Sequence, residues 1–174
     1  MISHLVLGGA RSGKSRYAEQ LALNTQKPRV YIATAQAVDD EMAQRIAHHQ
    51  QQRCQNVWQL VEEPIYLADR LAALDQEHQV ILVDCLTIWM SNLLLASDPD
   101  LQGRECLKLL ELLPKLKSEI IMVSNETGLG VIPLGEITRR FVDESGRLHQ
   151  ALGQVCQHVV FCIAGFPMQL KGVE

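Results

Sequence analysis

The sequence predicts an α/β protein: one domain, residues 1–174, with a mainly parallel sheet flanked by helices. Three observations carry this. Five short apolar runs recur along the chain, their apolar residues nearly continuous rather than alternating, as in strands buried on both faces. Helix-patterned segments separate the runs, and such alternation is the mark of a parallel sheet. No internal repeat, low-complexity tract or break in composition divides the chain.

Each element has its own warrant. HLVLGG (4–9) leads through a glycine-rich segment into a helix over 14–25. RVYIATA (29–35) is the second strand, followed by a helix over 39–52 whose first turn holds Asp39, Asp40 and Glu41, acids suited to a helix N-terminus. A helix over 64–76 precedes the strand QVILVDC (79–85), and helices over 86–96 and 103–117 precede EIIMVSN (119–125). Between those two helices ASDPD (96–100) is the clearest loop. The last helix, 134–156, sets Ile137, Phe141, Leu148, Leu152 and Val155 near helical spacing, facing the core, and Gly146 is a candidate break within it. HVVFCIAG (158–165) is the final strand.

Composition narrows the function. With 47% hydrophobic and 21% charged residues the chain is ordinary globular material rather than a disordered one. A net charge of −4 gives no basic footprint for nucleic acid or an anionic membrane, though one local cluster of donors would serve a nucleotide. Five cysteines (Cys54, Cys85, Cys106, Cys156, Cys162) without C-x-x-C spacing point to reduced thiols in a cytoplasmic protein, Cys85 and Cys162 being core filler. The N-terminal apolar run lacks a cationic lead and reads as a buried strand, not a signal peptide, and no stretch reaches the roughly 20 apolar residues of a membrane span.

GGARSGKS (8–15) matches G-x-x-x-x-G-K-[ST], and it lies where the pattern demands, between an apolar strand and a helix. The residue types have reasons. Glycine lets the backbone turn so that successive N–H groups face phosphate oxygens, and the helix N-terminus adds its positive end. Gly8, Gly9, Ala10, Arg11, Ser12 and Gly13 form the cradle, Lys14 reaches the β/γ phosphates, and the Ser15 hydroxyl ligates Mg²⁺. Such a loop wants a carboxylate on a neighbouring strand for the metal shell, and Asp84, closing VILVD, is the candidate. An aspartate closing a strand can also be merely a cap for the next helix, but beside a phosphate loop the metal or nucleotide role is favoured. Asn125 and Glu126 project from another strand tip into a glycine-rich turn, VSNETGLG (123–130), on the edge where open α/β sheets bind ligands.

RIAHHQQQ (45–52) places two histidines side by side. On a helix, Glu41, Arg45, His48 and Gln52 share one polar stripe, whereas His49 follows Met42 and Ile46 on a partly apolar one. Consecutive residues diverge, so the pair does not grip one metal, for which i, i+4 spacing is needed. His48 sits in a setting where an imidazole meets a phosphate, and a neutral imidazole is nucleophilic without help. On spacing alone a solvated surface histidine is the plainer reading.

Taken together, GGARSGKSRYAE (8–19), YIATAQAVDDEMAQRIAHHQ (31–50), VDCLTIWMSNLL (83–94), VSNETGLGVIP (123–133) and RRFVDESGRLHQALG (139–153) resemble the bifunctional adenosylcobinamide kinase/adenosylcobinamide-phosphate guanylyltransferases of cobalamin nucleotide-loop assembly. The resemblance implies a RecA-like P-loop fold, a homotrimer, and two reactions. In one, ATP or GTP phosphorylates adenosylcobinamide; in the other, GMP passes from GTP through a covalent histidine adduct to adenosylcobinamide phosphate. It implies that His48 is the nucleophile. It also implies nucleotide contacts from the P-loop, from Ala33, Thr34 and Ala35, from His49, Gln50, Gln51 and Gln52, and from the carboxylates Glu62 and Asp84. The chain departs from the family pattern where Asp84 replaces the common glutamate, where His149 replaces the asparagine of G-R-x-N-Q, and in its tail, AGFPMQLKG. Two other readings compete: a P-loop small-molecule kinase with His48 a bystander, and a GTP-binding switch. The switch lacks an N-K-x-D guanine motif, SNET (124–127) being the nearest.

Overall fold

The structure, a computed structural model, describes residues 2–35 and 58–172. Among the described residues seven strands form one sheet: β1 (Ser3–Gly8), β2 (Arg29–Ala33), β3 (Trp58–Glu62), β4 (Val80–Asp84), β5 (Glu119–Asn125), β6 (His158–Ile163) and β7 (Phe166–Lys171). Their spatial order is β3-β2-β4-β5-β1-β6-β7, all neighbours parallel except β6 and β7. The described helices are α1 (Lys14–Asn24), α2 (Leu67–Leu74), α3 (Leu86–Leu95), α4 (Leu101–Leu112) and α5 (Glu136–Val155).

Both faces of the sheet are covered, which is why the strand sequences are continuously apolar. Val6, Tyr31, Val80, Leu82, Ile121, Val123 and Val160 pack with Ala18 and Ala22 of α1 on one face. Their strand neighbours Leu5, Val30, Ile32, Ile81, Val83, Ile120 and Met122 turn the other way, onto Leu71 of α2, Trp89 and Met90 of α3, Leu109 of α4 and Leu152 of α5. Trp89 is fully buried and donates its indole N–H to the carbonyl of Ile65 at 2.8 Å. A large side chain with one polar atom is thereby paid for within the core.

The parallel α/β expectation holds, with corrections at the elements. β3 and β7 were not anticipated. Both are edge strands, and β7 is exposed along its whole length. β6 and β7 join through Ala164 and Gly165, both at positive φ, the two-residue turn whose twist suits a hairpin. The helix expected to reach 117 ends at Leu112 and passes into a single 3₁₀ turn, Leu113–Lys115, because Pro114 has no N–H to continue it. α5 runs unbroken through Gly146. Its Ile137 is 49% exposed rather than buried, since residues 136–140 lie ahead of Phe141, which packs on the core. Cys162 is buried and Cys85 packs on the α1 side, as core filler should. The helix expected over 39–52 and Cys54 lie outside the described residues.

Candidate active site

The carboxyl ends of the parallel strands align in register. Glu62 and Asp84 stand on either side of Ala33, Asp84 pairs with Val123, and Gly8 pairs with Asn125 on one side and Cys162 on the other. This edge gathers the residues singled out from the sequence between 8 and 15, 33 and 35, and at 62 and 84. His48, His49, Gln50, Gln51 and Gln52 lie outside the described residues.

The glycine loop follows β1 directly, and α1 starts at Lys14 behind Gly13, whose φ of 94° is in the left-handed region that glycine favours. A Cβ on Gly8 would stand 2.5 Å from Ser12 Oγ and 2.6 Å from the carbonyl oxygen of Cys162; one on Gly13 would stand 3.0 Å from Gly165 Cα. Glycine is required at both places by crowding as well as by backbone angle. Arg11, at φ 55°, marks the outward turn and is exposed with Ala10. Lys14 Nζ donates to the carbonyl of Gly9 at 3.1 Å, lying back across the loop. The N–H of Gly165, in the β6–β7 turn, donates to the carbonyl of Ser12 at 2.9 Å. The unanticipated hairpin therefore buttresses the cradle.

Asp84 ends β4 on the face that α1 covers, and Tyr31, from the same face of β2, donates its hydroxyl to Asp84 Oδ2 at 2.9 Å. The donor set suits Mg²⁺, a hard cation that takes one or two protein oxygens beside phosphate and water. A hydroxyl (Ser15) and a carboxylate (Asp84) are of that kind, and among the described residues no group of three or more His, Cys, Asp or Glu gathers to hold a different ion. The thiol of the adjacent Cys85 is pushed up by burial and then by the Asp84 carboxylate, so it stays protonated and is no nucleophile.

Thr34 is fully buried and acts as a clasp. Its hydroxyl donates to the carbonyl of Cys85 at 2.7 Å and accepts the Cys85 N–H at 2.9 Å, while its own carbonyl accepts Asn92 Nδ2 at 2.9 Å. The β4–α3 turn that presents Asp84 is thus tied to the tip of β2. Ala33 and Ala35 stand at that tip, and Glu62 is exposed at the end of β3.

A second cluster went unrecognised in the sequence. Thr87 of α3, Ser124 of β5 and His149 of α5 meet under the turn after β5. Asn125 N–H donates to Thr87 Oγ1 at 2.6 Å, Thr87 Oγ1 and Ser124 Oγ are 3.3 Å apart, and His149 Nε2 lies 2.8 Å from Ser124 Oγ. His149 Nδ1 faces Glu126 Oε2 at 3.5 Å. Burial pushes the His149 imidazole below its ordinary value, and the Glu126 carboxylate opposes that shift. The sequence singled out Asn125 and Glu126 at this strand tip and His149 as a departure from the family pattern, but not their meeting with Thr87 and Ser124, because the cluster is assembled from three distant elements.

A mainly parallel sheet, a phosphate loop at its carboxyl edge and a strand-tip carboxylate beside it define a P-loop nucleotide-handling protein with RecA-like architecture. Solved structures share this fold: a KaiC-like protein from Pyrococcus horikoshii OT3 (TM-score 0.52, 14% identity, covering 92% of this chain and 70% of that one) and a RadB recombinase (TM-score 0.51, 16% identity, 92% and 73%). At those identities the likeness is one of fold. The chain belongs to the cobinamide kinase / cobinamide phosphate guanyltransferase family, whose model matches residues 4–170. It is similar to the bifunctional adenosylcobalamin biosynthesis protein CobP of Pseudomonas aeruginosa, 54% identical over 97% of this chain and 96% of that protein. It is also similar to the bifunctional adenosylcobalamin biosynthesis protein CobU of Escherichia coli K12, 34% identical over 96% and 98%.

Proposed function

We propose that this chain carries out both transfers of its family from one phosphate cradle, residues 8–15. In the first, the aminopropanol hydroxyl of adenosylcobinamide attacks the γ-phosphorus of ATP or GTP, forming adenosylcobinamide phosphate and releasing the diphosphate. In the second, an imidazole nitrogen of His48 attacks the α-phosphorus of GTP and pyrophosphate leaves. A phosphate oxygen of adenosylcobinamide phosphate then attacks the same phosphorus, the P–N bond breaks, and adenosyl-GDP-cobinamide forms with the imidazole restored. Two displacements let the bulky corrinoid enter after pyrophosphate has gone, which gives the covalent route its physical reason.

The observation that carries this reading is the alignment at one sheet edge of the glycine loop, Lys14 and Asp84 in a chain matching the family over residues 4–170. Loop N–H groups, the α1 N-terminus and Lys14 would meet the phosphate charge that shifts in both reactions. Ser15 and Asp84 would hold Mg²⁺, which when bound neutralises charge between phosphate oxygens. Nucleotide contacts from Ala33, Ala35, Glu62 and His49 to Gln52, with the buried Thr34 holding the tip of β2 beneath them, a single domain spanning 1–174, a homotrimer and a cytoplasmic location complete the proposal.

The test is GTP labelled at the α-phosphate, incubated with Mg²⁺ and the protein, which is then denatured. The expected result is bound GMP, stable to alkali and lost in acid, absent in His48→Ala and present in His49→Ala. Label persisting in His48→Ala moves the nucleophile elsewhere, and no label in the unsubstituted protein removes the guanylyl step.

A further inference from the structure

The cluster of half-buried Thr87 with buried Ser124 and His149 ends on a carboxylate, and that carboxylate sets the direction of its hydrogens. The Glu126 carboxylate facing Nδ1 calls for the ring proton there, which leaves Nε2 an acceptor, and Thr87 Oγ1 and Ser124 Oγ, 3.3 Å apart, complete the chain. Ser124 then donates to His149 Nε2. The imidazole proton is on Nδ1, directed at Glu126 Oε2. The opposite arrangement would set a bare Nδ1 lone pair against a carboxylate. Burial, which keeps this imidazole neutral, agrees with a single ring proton.

Glu126 is held on three sides. Its Oε1 accepts the Gly128 N–H at 2.6 Å, its Oε2 faces His149, and its backbone N–H donates to the carbonyl of Gly8 at 3.1 Å. Its side chain is nevertheless 20% exposed, against 7% for His149. An oriented carboxylate thus opens to solvent at the start of the phosphate loop. His149 Nδ1 is buried without a hydrogen-bond partner, 3.5 Å from Glu126 being too long for a well-formed one. Contacts of this kind commonly tighten when substrate enters.

We propose that Glu126 is the proton acceptor of the phosphorylation step and that His149 is its positioning residue. As the acceptor hydroxyl oxygen forms its bond to the γ-phosphorus, its proton passes to the Glu126 carboxylate. The bond from the γ-phosphorus to the bridging oxygen breaks, and its electron pair leaves with the nucleoside diphosphate. Glu126 returns the proton to solvent after product departs. The imidazole N–H fixes the carboxylate rotamer and leaves the opposite lone pair for the hydroxyl. This rests on the kinase half of the proposed function and adds the residues that activate the alcohol.

The test is steady-state phosphorylation of cobinamide by the intact enzyme. Glu126→Gln keeps an oxygen for the Gly128 N–H but removes the base, so kcat should fall about 100-fold or more, with the KM for the triphosphate within about two-fold. Added formate should restore rate to Glu126→Ala in proportion to its concentration. His149→Phe should lower kcat about ten-fold at unchanged KM, and His149→Asn, which retains an N–H donor, should recover most of that loss. Thermal melts of each variant identify any that fail to fold, in which case the formate titration decides. A Glu126→Gln kcat within about three-fold of the unsubstituted enzyme, or a Glu126→Ala rate indifferent to formate, overturns the Glu126 role. A His149→Phe variant altered in KM rather than kcat overturns the positioning role. Absence of phosphorylation by the unsubstituted enzyme overturns the kinase reading itself, a separate and recognisable failure.

Discussion

The backbone N–H of Glu126 donates to the carbonyl of Gly8 at 3.1 Å, so the tip of β5 and the first residue of the phosphate loop share a hydrogen bond. On the opposite flank Gly165 donates to Ser12 at 2.9 Å. The loop is clamped from both neighbouring strands. Its shape is therefore set by the sheet, and loop N–H groups held in place before a phosphate arrives bind it at lower entropic cost.

Crowding at Gly8 gives the first prediction. A methyl group there meets the Cys162 carbonyl at 2.6 Å, and a backbone oxygen cannot move aside as a flexible side chain does. Gly8→Ala should cost about 1–3 kcal/mol of stability through overpacking. Differential scanning calorimetry should show a Tm lower by roughly 2–4 °C per kcal/mol in a protein of this size. Triphosphate binding measured by titration calorimetry should weaken with it, because the displaced segment is the cradle.

Lys14 separates binding from folding. Its ammonium lies across the loop on the Gly9 carbonyl, a part-buried contact whose loss leaves that carbonyl accepting only the Ser12 N–H at 3.3 Å. Lys14→Met should reduce both the phosphorylation and the guanylylation rates by about 10²–10³, the size expected when a preorganised charge on the transferring group is removed. The melting temperature should move only slightly, because the ammonium makes a single hydrogen bond, worth about 0.5–1.5 kcal/mol net, and the Gly9 carbonyl keeps the Ser12 N–H. Equal losses of rate and Tm would contradict the assignment.

How much of this was legible beforehand differs by element. β1, β2, β4, β5 and β6 are apolar on both faces, and that continuity is written locally in runs such as VILVD. WQLVE of β3 and FPMQLK of β7 are edge strands with exposed residues, and Pro167 argues against a strand unless the edge is known. The phosphate loop was legible because its chemistry lies within eight consecutive residues, 8–15. The Tyr31–Asp84 bond, the Thr34 clasp and the His149–Glu126 contact join residues 53, 51 and 23 positions apart, and no spacing rule reports a meeting that the sheet order creates.

The Thr34 clasp predicts a substitution that injures the site from a distance. Thr34→Val keeps the shape but removes the hydroxyl, leaving the Cys85 N–H without its partner at 2.9 Å, while the Cys85 carbonyl keeps the Trp89 N–H at 3.2 Å. A buried unsatisfied group costs about 1–3 kcal/mol. Denaturant titration should show a loss in that range. Transfer rates should fall as well, since Asp84, next in sequence, is presented by the turn that loosens. Thr34→Ser, which restores the hydroxyl, should recover most of both.

The opposite edge of the sheet governs acid stability. His4 Nε2 donates to Glu119 Oε1 at 3.2 Å and Lys27 Nζ to Oε2 at 2.8 Å, around a side chain that is 7% exposed. The hydrogen bond from His4, aided by Lys27, holds the Glu119 carboxyl below the usual glutamate range. A carboxyl depressed in the folded state stabilises the protein above its unfolded pKa, about 4.3, and that contribution is lost as pH falls through the depressed value. Glu119→Gln should therefore be less stable than the unsubstituted protein at pH 7, by about 1–3 kcal/mol, because His4 and Lys27 lose an ionised acceptor. The gap should close as pH is lowered below the glutamate range, since the native side chain is then protonated too. Urea titrations of both proteins at pH 7 and across the acid range measure that gap directly, and a difference that stays constant with pH would show that packing, not the ionised carboxylate, carries the effect.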